Sequence, residues 1–224
     1  DAKRGIWIPW AVELSREVEA DILIAYRIAA RKADAEISGL GRVTEREDNT
    51  FLVSEIIIPN QVNTGGHTEF LGSEAAAVLN MIAEQGKNPS EYNFWWHSHV
   101  QASAWFSSID DNMIKNRLHA MMSDVHLDLY PDIPEETISG PFFSLVGNIY
   151  GEMTARCDFL HRIGKEYRQY TFVIPVIRHL AELSKEELNA FFEERYRAMN
   201  DIIEERVVFG RSFGILGRRK FEEL

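Results

Sequence analysis

The most constraining feature of the sequence is a short aromatic segment, residues 92–100, that carries His97 and His99. Aromatic residues favour β-strands, and residues two apart in a strand point to the same face. The two imidazoles are therefore predicted to project side by side. Eight positions after His99, Ser107 opens a predicted helix whose first turn contains Asp110. The Asp110 carboxylate is expected to reach back toward both histidines.

The order of predicted elements along the chain indicates the fold class. Helical periodicity alternates with apolar segments typical of strands, and this order predicts a mixed α/β sandwich whose sheet is covered by helices. The last helix starts with a capping box of Ser184 and Glu187. The predicted helices are residues 13–32, 73–84, 107–121 and 184–208; the strands are 36–43, 51–58, 92–100, 142–148, 152–160 and 170–177; the longest loops are 60–72 and 124–140.

Composition excludes several classes of function. A formal net charge of -11 over 224 residues argues against a general nucleic-acid binder and against docking on an anionic membrane. No run of about 18 apolar residues occurs, so no membrane span is predicted. Cys157 is the single cysteine, which rules out an internal disulfide and a thiolate zinc site and favours a reducing, cytoplasmic location.

Two imidazoles and one carboxylate form a typical ligand set for catalytic zinc, with a fourth position left for water. The pair Ser107 and Asp110 also has a purely structural interpretation, in which Ser107 is the N-cap of the helix and Asp110 is the third residue of its first turn. The two interpretations are compatible, because a capped helix start holds a ligand in a fixed position.

The pattern His97-Ser98-His99, seven residues, Ser107, two residues, Asp110 resembles the JAMM motif of the JAB1/MPN/Mov34 metalloenzyme family, in the form of a prokaryotic or viral-type JAB domain. The resemblance covers residues 6–160. It implies an MPN-type, cytidine-deaminase-like mixed sheet flanked by helices, with an extra C-terminal helix. We therefore expect a catalytic domain at 1–165, followed by a strand, a helix and a basic tail at 166–224.

The resemblance also implies a role for each residue of the site. His97, His99 and Asp110 bind Zn²⁺, Glu36 acts as the general base, and Ser107 donates a hydrogen bond to the oxyanion. Glu36 receives its role because it stands at the start of the predicted strand that follows the first helix, as the family's glutamate does.

One position departs from the family pattern. The second histidine of the motif is usually followed by proline, and here Val100 follows it. Because proline supplies no ligand, the change leaves metal binding intact and bears on loop geometry and substrate preference.

The function implied by the resemblance is a zinc-dependent isopeptidase or peptidase that cleaves amide bonds at the C-terminal tail of a ubiquitin-like protein or its conjugates. Two alternatives stay open: a zinc peptidase for small peptide or amino-acid conjugates, and a non-catalytic MPN scaffold subunit. The expected partner is a ubiquitin-like protein or a peptide, with neither nucleic acid nor membrane, and the oligomeric state is open. A zinc nucleoside deaminase is excluded because its paired cysteines are missing.

Other conspicuous residues have simpler interpretations. Trp95, Trp96 and Trp105 are expected to pack in the core or at the rim of the site, and Cys157 is expected in the core of a strand. His67 is interpreted as a surface residue that could line a groove.

Overall fold

The computed structural model describes residues 9–46, 48–64, 67–69, 72–123 and 136–210. These residues form a mixed α/β structure. The helices are α1 (Arg16–Ala33), α2 (Gly72–Glu84), α3 (Ser108–Ser123) and α4 (Lys185–Arg206). The strands are β1 (Ala11–Leu14), β2 (Ser38–Glu45), β3 (Thr50–Ile57), β4 (Gln61–Thr64), β5 (His67–Glu69), β6 (Phe94–Ser98), β7 (Glu136–Ile138), β8 (Phe142–Gly147), β9 (Met153–Ile163), β10 (Glu166–Ile174), β11 (Val176–Ile177) and β12 (Val207–Phe209).

Nine strands form one mixed sheet with the order β10-β9-β8-β6-β2-β3-β1-β11, and β7 pairs with β9 off this path. The central strand β6 runs antiparallel to β2 and parallel to β8. Its carboxyl end, which carries His97, therefore lies beside the carboxyl end of β8. A smaller sheet has the order β12-β4-β5.

Alternation along β6 sends its side chains to two different helical layers. Phe94 and Trp96 enter the main core with α1 and α4. Trp95 points the other way and packs with Ile114 and Leu118 of α3. Helix α3 therefore covers the same face of the sheet to which His97 belongs.

Gly39 of β2 leaves space for the indole of Trp96 on the neighbouring strand β6. A Cβ at this position would lie 2.5 Å from Trp96 Cζ2 and 2.5 Å from the Ile57 carbonyl oxygen. Only glycine fits where the indole crosses the backbone this closely. The indole Nε1 donates to the Leu40 carbonyl at 3.3 Å, so this contact fixes β2 against β6.

Several predicted bounds are wrong, each for an identifiable reason. The first helix begins at Arg16 rather than at residue 13, because the Ser15 hydroxyl caps it and residues 11–14 form β1. The loop at 60–72 contains β4 and β5, and the loop at 124–140 contains β7; these strands are too short to show periodicity. The strand at 170–177 is interrupted at Pro175, which separates β10 from β11. Residues 124–135 lie outside the described residues.

The C-terminal segment is integrated with the rest of the fold. Helix α4 begins with the predicted capping box of Ser184 and Glu187, and it packs on α1. Arg195 holds Asp21 of α1 through two nitrogens, each 2.7 Å from a carboxylate oxygen. Strands β10 and β11 form the two outer positions of the large sheet, and the expected domain boundary at 165 falls in the turn between β9 and β10. The division into two domains stays a prediction.

Within the described part of the chain, every helix is too short or too polar to traverse a lipid bilayer. The basic cluster Arg218-Arg219-Lys220 lies outside the described residues.

Candidate metal centre

His97 is held rigidly at the end of β6. Its backbone pairs with Ser38 of β2 and Val146 of β8, and the Tyr26 hydroxyl donates to its carbonyl at 2.8 Å. The imidazole stacks on Trp95, with ring centroids 4.2 Å apart and an angle of 11° between the planes. The ring is only 2% exposed, so its orientation is fixed by packing on both sides.

His99 follows the last residue of β6 and is held by the loop after it. Its Nδ1 lies 3.2 Å from the Ser103 carbonyl oxygen. A carbonyl can only accept, so Nδ1 carries the proton and the lone pair of Nε2 is left for another partner. This is the arrangement that orients a metal-binding histidine.

Val100 turns the chain sharply after His99. It has a φ of 49°, which is a rare and strained value for a β-branched residue. The turn closes through the Ala102 N–H, which donates to the His99 carbonyl at 2.7 Å, and the Ile149 N–H donates to the Val100 carbonyl at 3.0 Å. The loop that carries His99 is therefore anchored to the turn after β8.

Asp110 reaches the histidines from the first turn of α3. The Asp110 N–H donates to the Ser107 hydroxyl at 3.3 Å, and the Ser107 N–H donates to Asp110 Oδ2 at 2.6 Å. Ser107 and Asp110 therefore form a reciprocal cap of the helix. The same carboxylate also approaches both imidazoles, so the structural and the metal-binding interpretations coexist.

The three side chains bring their donor atoms to one point. His97 Nε2 lies 3.2 Å from Asp110 Oδ1, His99 Nε2 lies 3.4 Å from Asp110 Oδ2, and the two Nε2 atoms are 3.2 Å apart. A tetrahedron with metal–ligand bonds of about 2.0–2.1 Å has edges of about 3.3–3.4 Å. The donor set and its spacing therefore fit a metal ion, and this group is close enough to bind one.

The charges within the site are set by burial and by these contacts. Burial lowers the pKa of His97 and outweighs the contrary effect of Asp110. The hydrogen bond to Asp110 raises the pKa of His99. Burial alone would raise the pKa of Asp110, but the two histidines hold it well below its usual range. The carboxylate is therefore ionised, as a metal ligand requires.

Glu36 lies two residues before β2, because this strand begins at Ser38 rather than at the predicted residue 36. Its N–H donates to the Thr64 carbonyl at 3.0 Å, and the next residue, Ile37, donates to the Ser98 hydroxyl at 3.0 Å. Burial raises the pKa of Glu36 to about 7, with His99 lowering it and Asp110 raising it. The charges of His99 and Asp110 both act on Glu36, so its carboxylate lies within electrostatic range of these two residues.

The structure brings together His97, His99, Ser107 and Asp110 and leaves Glu36 within electrostatic range of His99 and Asp110. It also adds partners that the sequence did not reveal. Tyr26, Ser103 and Trp95 fix the two histidines. Arg156 contacts Phe106 and Asp111 on either side of the helix cap. The contacts of Tyr26 and Arg156 join residues distant in the chain, so no local sequence pattern predicts them.

The three tryptophans near the site behave as expected of packing residues. Trp95 and Trp96 are buried in the two separate layers, whereas Trp105 is 72% exposed at the rim. Cys157 is buried in β9, as predicted. His67 lies in β5.

No family model matches this chain, and no curated protein matches it. Among solved structures, the chain is similar to the solution structure of protein DSY2949 from Desulfitobacterium hafniense, with 13% identity and a TM-score of 0.40. That match covers 75% of this chain and 94% of the other. The similarity is too weak to indicate a shared fold or function.

Proposed function

We propose that this chain is a zinc hydrolase of the JAMM type, which cleaves the amide bond at the C-terminal tail of a ubiquitin-like protein or its conjugates. The observation that carries the proposal is the convergence of His97, His99 and Asp110 at 3.2–3.4 Å from one another. Three protein ligands leave an open coordination position, which distinguishes a catalytic from a structural zinc site.

The proposal includes an MPN-type fold. Three features support it: a mixed sheet, helices on both faces, and a ligand helix that starts beside the carboxyl end of a central strand. The position of Glu36 before the strand that pairs with β6 also agrees with the family arrangement.

A bound zinc ion would polarise the substrate carbonyl and lower the pKa of a water molecule. Glu36 takes a proton from the attacking water, whose oxygen forms a bond to the carbonyl carbon. Glu36 then returns this proton to the leaving nitrogen as the C–N bond breaks. A carboxylate with a pKa of about 7 is suited to both transfers near neutral pH.

Ser107 is placed to stabilise the negative charge that develops on the carbonyl oxygen. Its oxygen accepts from the Asp110 N–H at 3.3 Å, so the hydroxyl hydrogen remains available to donate. Because the Ser107 backbone is fixed by the helix cap, this donor is preorganised, which is how such groups contribute to catalysis.

Val100 sets a limit on the resemblance. Proline requires a φ near −65°, and the chain has a φ of 49° here. The loop after His99 therefore follows a different path from one that contains the usual proline. The substrate groove next to His99 is the part of the site where we expect this protein to differ from its family.

The first test is metal analysis of protein purified without chelator. About one zinc per chain is expected. Protein that binds no zinc, even after zinc is added, would favour a non-catalytic scaffold.

The second test offers ubiquitin-like fusions, isopeptide conjugates and short peptides to the zinc-loaded protein side by side. Release of the ubiquitin-like protein supports the proposal, and turnover of short peptides alone would replace it with a small-peptide hydrolase. Glu36→Gln serves as the inactive control, and Glu17→Gln, an exposed carboxylate on α1, serves as the matched active control.

A further inference from the structure

A buried arginine lies beneath the helix that supplies the carboxylate ligand. Arg156 is on β9, in register with Ser144 of β8, on the face covered by α3. Its Nε donates to Asp158 Oδ2 at 2.9 Å, and its Nη1 donates to Asp111 Oδ1. Its guanidinium carbon lies 4.5 Å from the centroid of the Phe106 ring.

Asp158 fixes one side of this guanidinium. The Asp158 side chain is fully buried, and its other oxygen accepts hydrogen bonds from Gln169 and Thr171 of β10. A buried carboxylate with this many partners cannot move without losing them. Arg156 is therefore held in a fixed position on the sheet. It restricts in turn the position of the group that it contacts on its other side.

That group is the start of α3. Asp111 directly follows the ligand Asp110, and Phe106 directly precedes the capping residue Ser107. Arg156 therefore contacts the chain on both sides of the cap, and Phe106 in turn lies 6.0 Å from the His97 ring. The positive charge of Arg156 also offsets one of two adjacent carboxylates that would otherwise repel each other.

We propose that Arg156 is a positioning residue for the metal centre: it clamps the first turn of α3 through Asp111 and thereby holds Asp110 in reach of His97 and His99. This inference rests on the proposed metal site but not on the reaction. Partners that orient metal ligands typically change metal affinity by 10–100-fold when removed.

Asp111 offers the cleanest test because its side chain is 57% exposed and because the buried Arg156 keeps its ion pair with Asp158 when Asp111 is removed. The matched control is Glu204→Ala on α4. The Glu204 side chain is similarly exposed, at 59%, and forms an ion pair with Lys32 of α1. The affinity of the full-length chain for zinc is measured by competition with a chromophoric chelator. Asp111→Ala is expected to weaken zinc binding about 10-fold, and Glu204→Ala is expected to leave it unchanged.

Two further readouts separate positioning from general stability. The melting temperature of metal-free Asp111→Ala should stay within about 4 °C of the wild type, and Asp111→Glu, which keeps the ion pair, should recover most of the affinity. Arg156→Lys should also weaken zinc binding, because an ammonium cannot hold two carboxylates in a planar fork.

The inference is overturned if Asp111→Ala binds zinc as tightly as the wild type, or if Glu204→Ala loses as much affinity. A wild-type chain that binds no zinc overturns it together with the metal site. A chain that binds zinc with the expected losses but hydrolyses none of the substrates leaves the clamp intact and removes only the proposed function.

Discussion

Two regions of this molecule use the same residue types for opposite purposes. At the candidate metal centre, His97, His99 and Asp110 bring their donor atoms close enough together to hold a metal ion. In a second region, where the segment after β11 meets β1 and α1, a histidine and three carboxylates are also close together. We call this second region the α1 seam; it consists of Glu13, Glu19, Arg178, His179 and Glu182.

In the α1 seam, the charged groups are matched by partners of opposite sign or by N–H groups. Glu19 is 1% exposed and accepts from Arg178 Nε at 2.7 Å and from the N–H groups of His179 and Leu180 at 2.8 and 3.0 Å. Both nitrogens of His179 face carboxylates, Glu13 at 2.8 Å and Glu182 at 2.9 Å.

The metal centre lacks this matching. Two imidazole nitrogens face each other at 3.2 Å around one carboxylate, and Glu36 adds a second, partly buried carboxylate. The comparison teaches that a cluster of titratable groups indicates function when its donors converge without a matching cation. A cluster whose charges are paired holds the fold together.

The sharpest contrast comes from removing one histidine in each region. His97→Ala should abolish zinc binding and reduce turnover to background, because two ligands hold zinc far less tightly than three. His179→Ala should keep one zinc per chain. Metal content and circular dichroism are measured together, and retention of zinc by a folded His97→Ala protein would contradict the assignment.

Removing the base should separate binding from chemistry. Glu36→Gln is expected to keep zinc and to lose about 10²–10⁴-fold in kcat. The pKa of Glu36 is about 7 in the metal-free chain, and the positive charge of zinc lowers it. In the zinc-loaded wild type, kcat/KM should therefore fall at a pH below about 7, where protonation of Glu36 removes the base. A Glu36→Gln variant with wild-type turnover would show that another group is the base.

Substitutions in the α1 seam should lower the stability of the fold, whereas substitutions at the candidate metal centre should lower zinc binding and activity. Glu19→Gln removes the charge that faces Arg178 in a buried position, and the free energy of unfolding should fall by about 2–4 kcal/mol. Zinc affinity should be unchanged. Chemical denaturation measures the first quantity and chelator competition the second; a large loss of zinc affinity would mean that the two regions are coupled.

Val100 tests how far the loop after His99 departs from the family. Val100→Pro should destabilise the protein by about 2–3 kcal/mol, because proline cannot adopt the positive φ. It should also weaken zinc binding through the neighbouring His99. Val100→Ala, which tolerates the same backbone angle at similar cost, is the control for loss of the side chain. A Val100→Pro protein as stable as Val100→Ala would show that the loop has the conformation that proline allows.

The smallest expected effect is the pH dependence of the α1 seam. Hydrogen bonds to Glu182 and then Glu13 raise the pKa of His179. Its contribution to stability is therefore complete below the unfolded pKa of about 6.5 and is lost as the pH rises through the higher folded pKa. His179→Gln should flatten this part of the stability profile, as followed by thermal melts between about pH 6 and 9. An unchanged slope would mean that His179 is not charged in the seam.

The residues of the site were predictable where the signal is local. Alternation in a strand placed His97 and His99 on one face, and a helix cap placed Asp110. Glu36 required the family resemblance, because a single glutamate before a strand has no pattern of its own. The clamp by Arg156 could not be predicted, since it depends on the register of β8, β9 and β10 and on the angle at which α3 crosses them.

The fold shows the same division. The long helices and the hairpin of β8 and β9 follow from periodicity and capping, and the structure confirms them. The short strands β4 and β5 carry few apolar residues, so their pairing is set by the tertiary context rather than by sequence pattern. The assignment to the JAMM family and the cleavage of a ubiquitin-like tail stay predictions.

X-ray absorption spectroscopy at the zinc edge of the zinc-loaded chain tests the central claim most directly. If His97, His99 and Asp110 hold the ion with one further oxygen, the spectrum shows about four nitrogen and oxygen neighbours at about 2.0–2.1 Å, with the outer-sphere signature of two imidazoles. A sixfold oxygen shell without imidazole scattering would contradict the account, because it would place the metal on surface carboxylates instead.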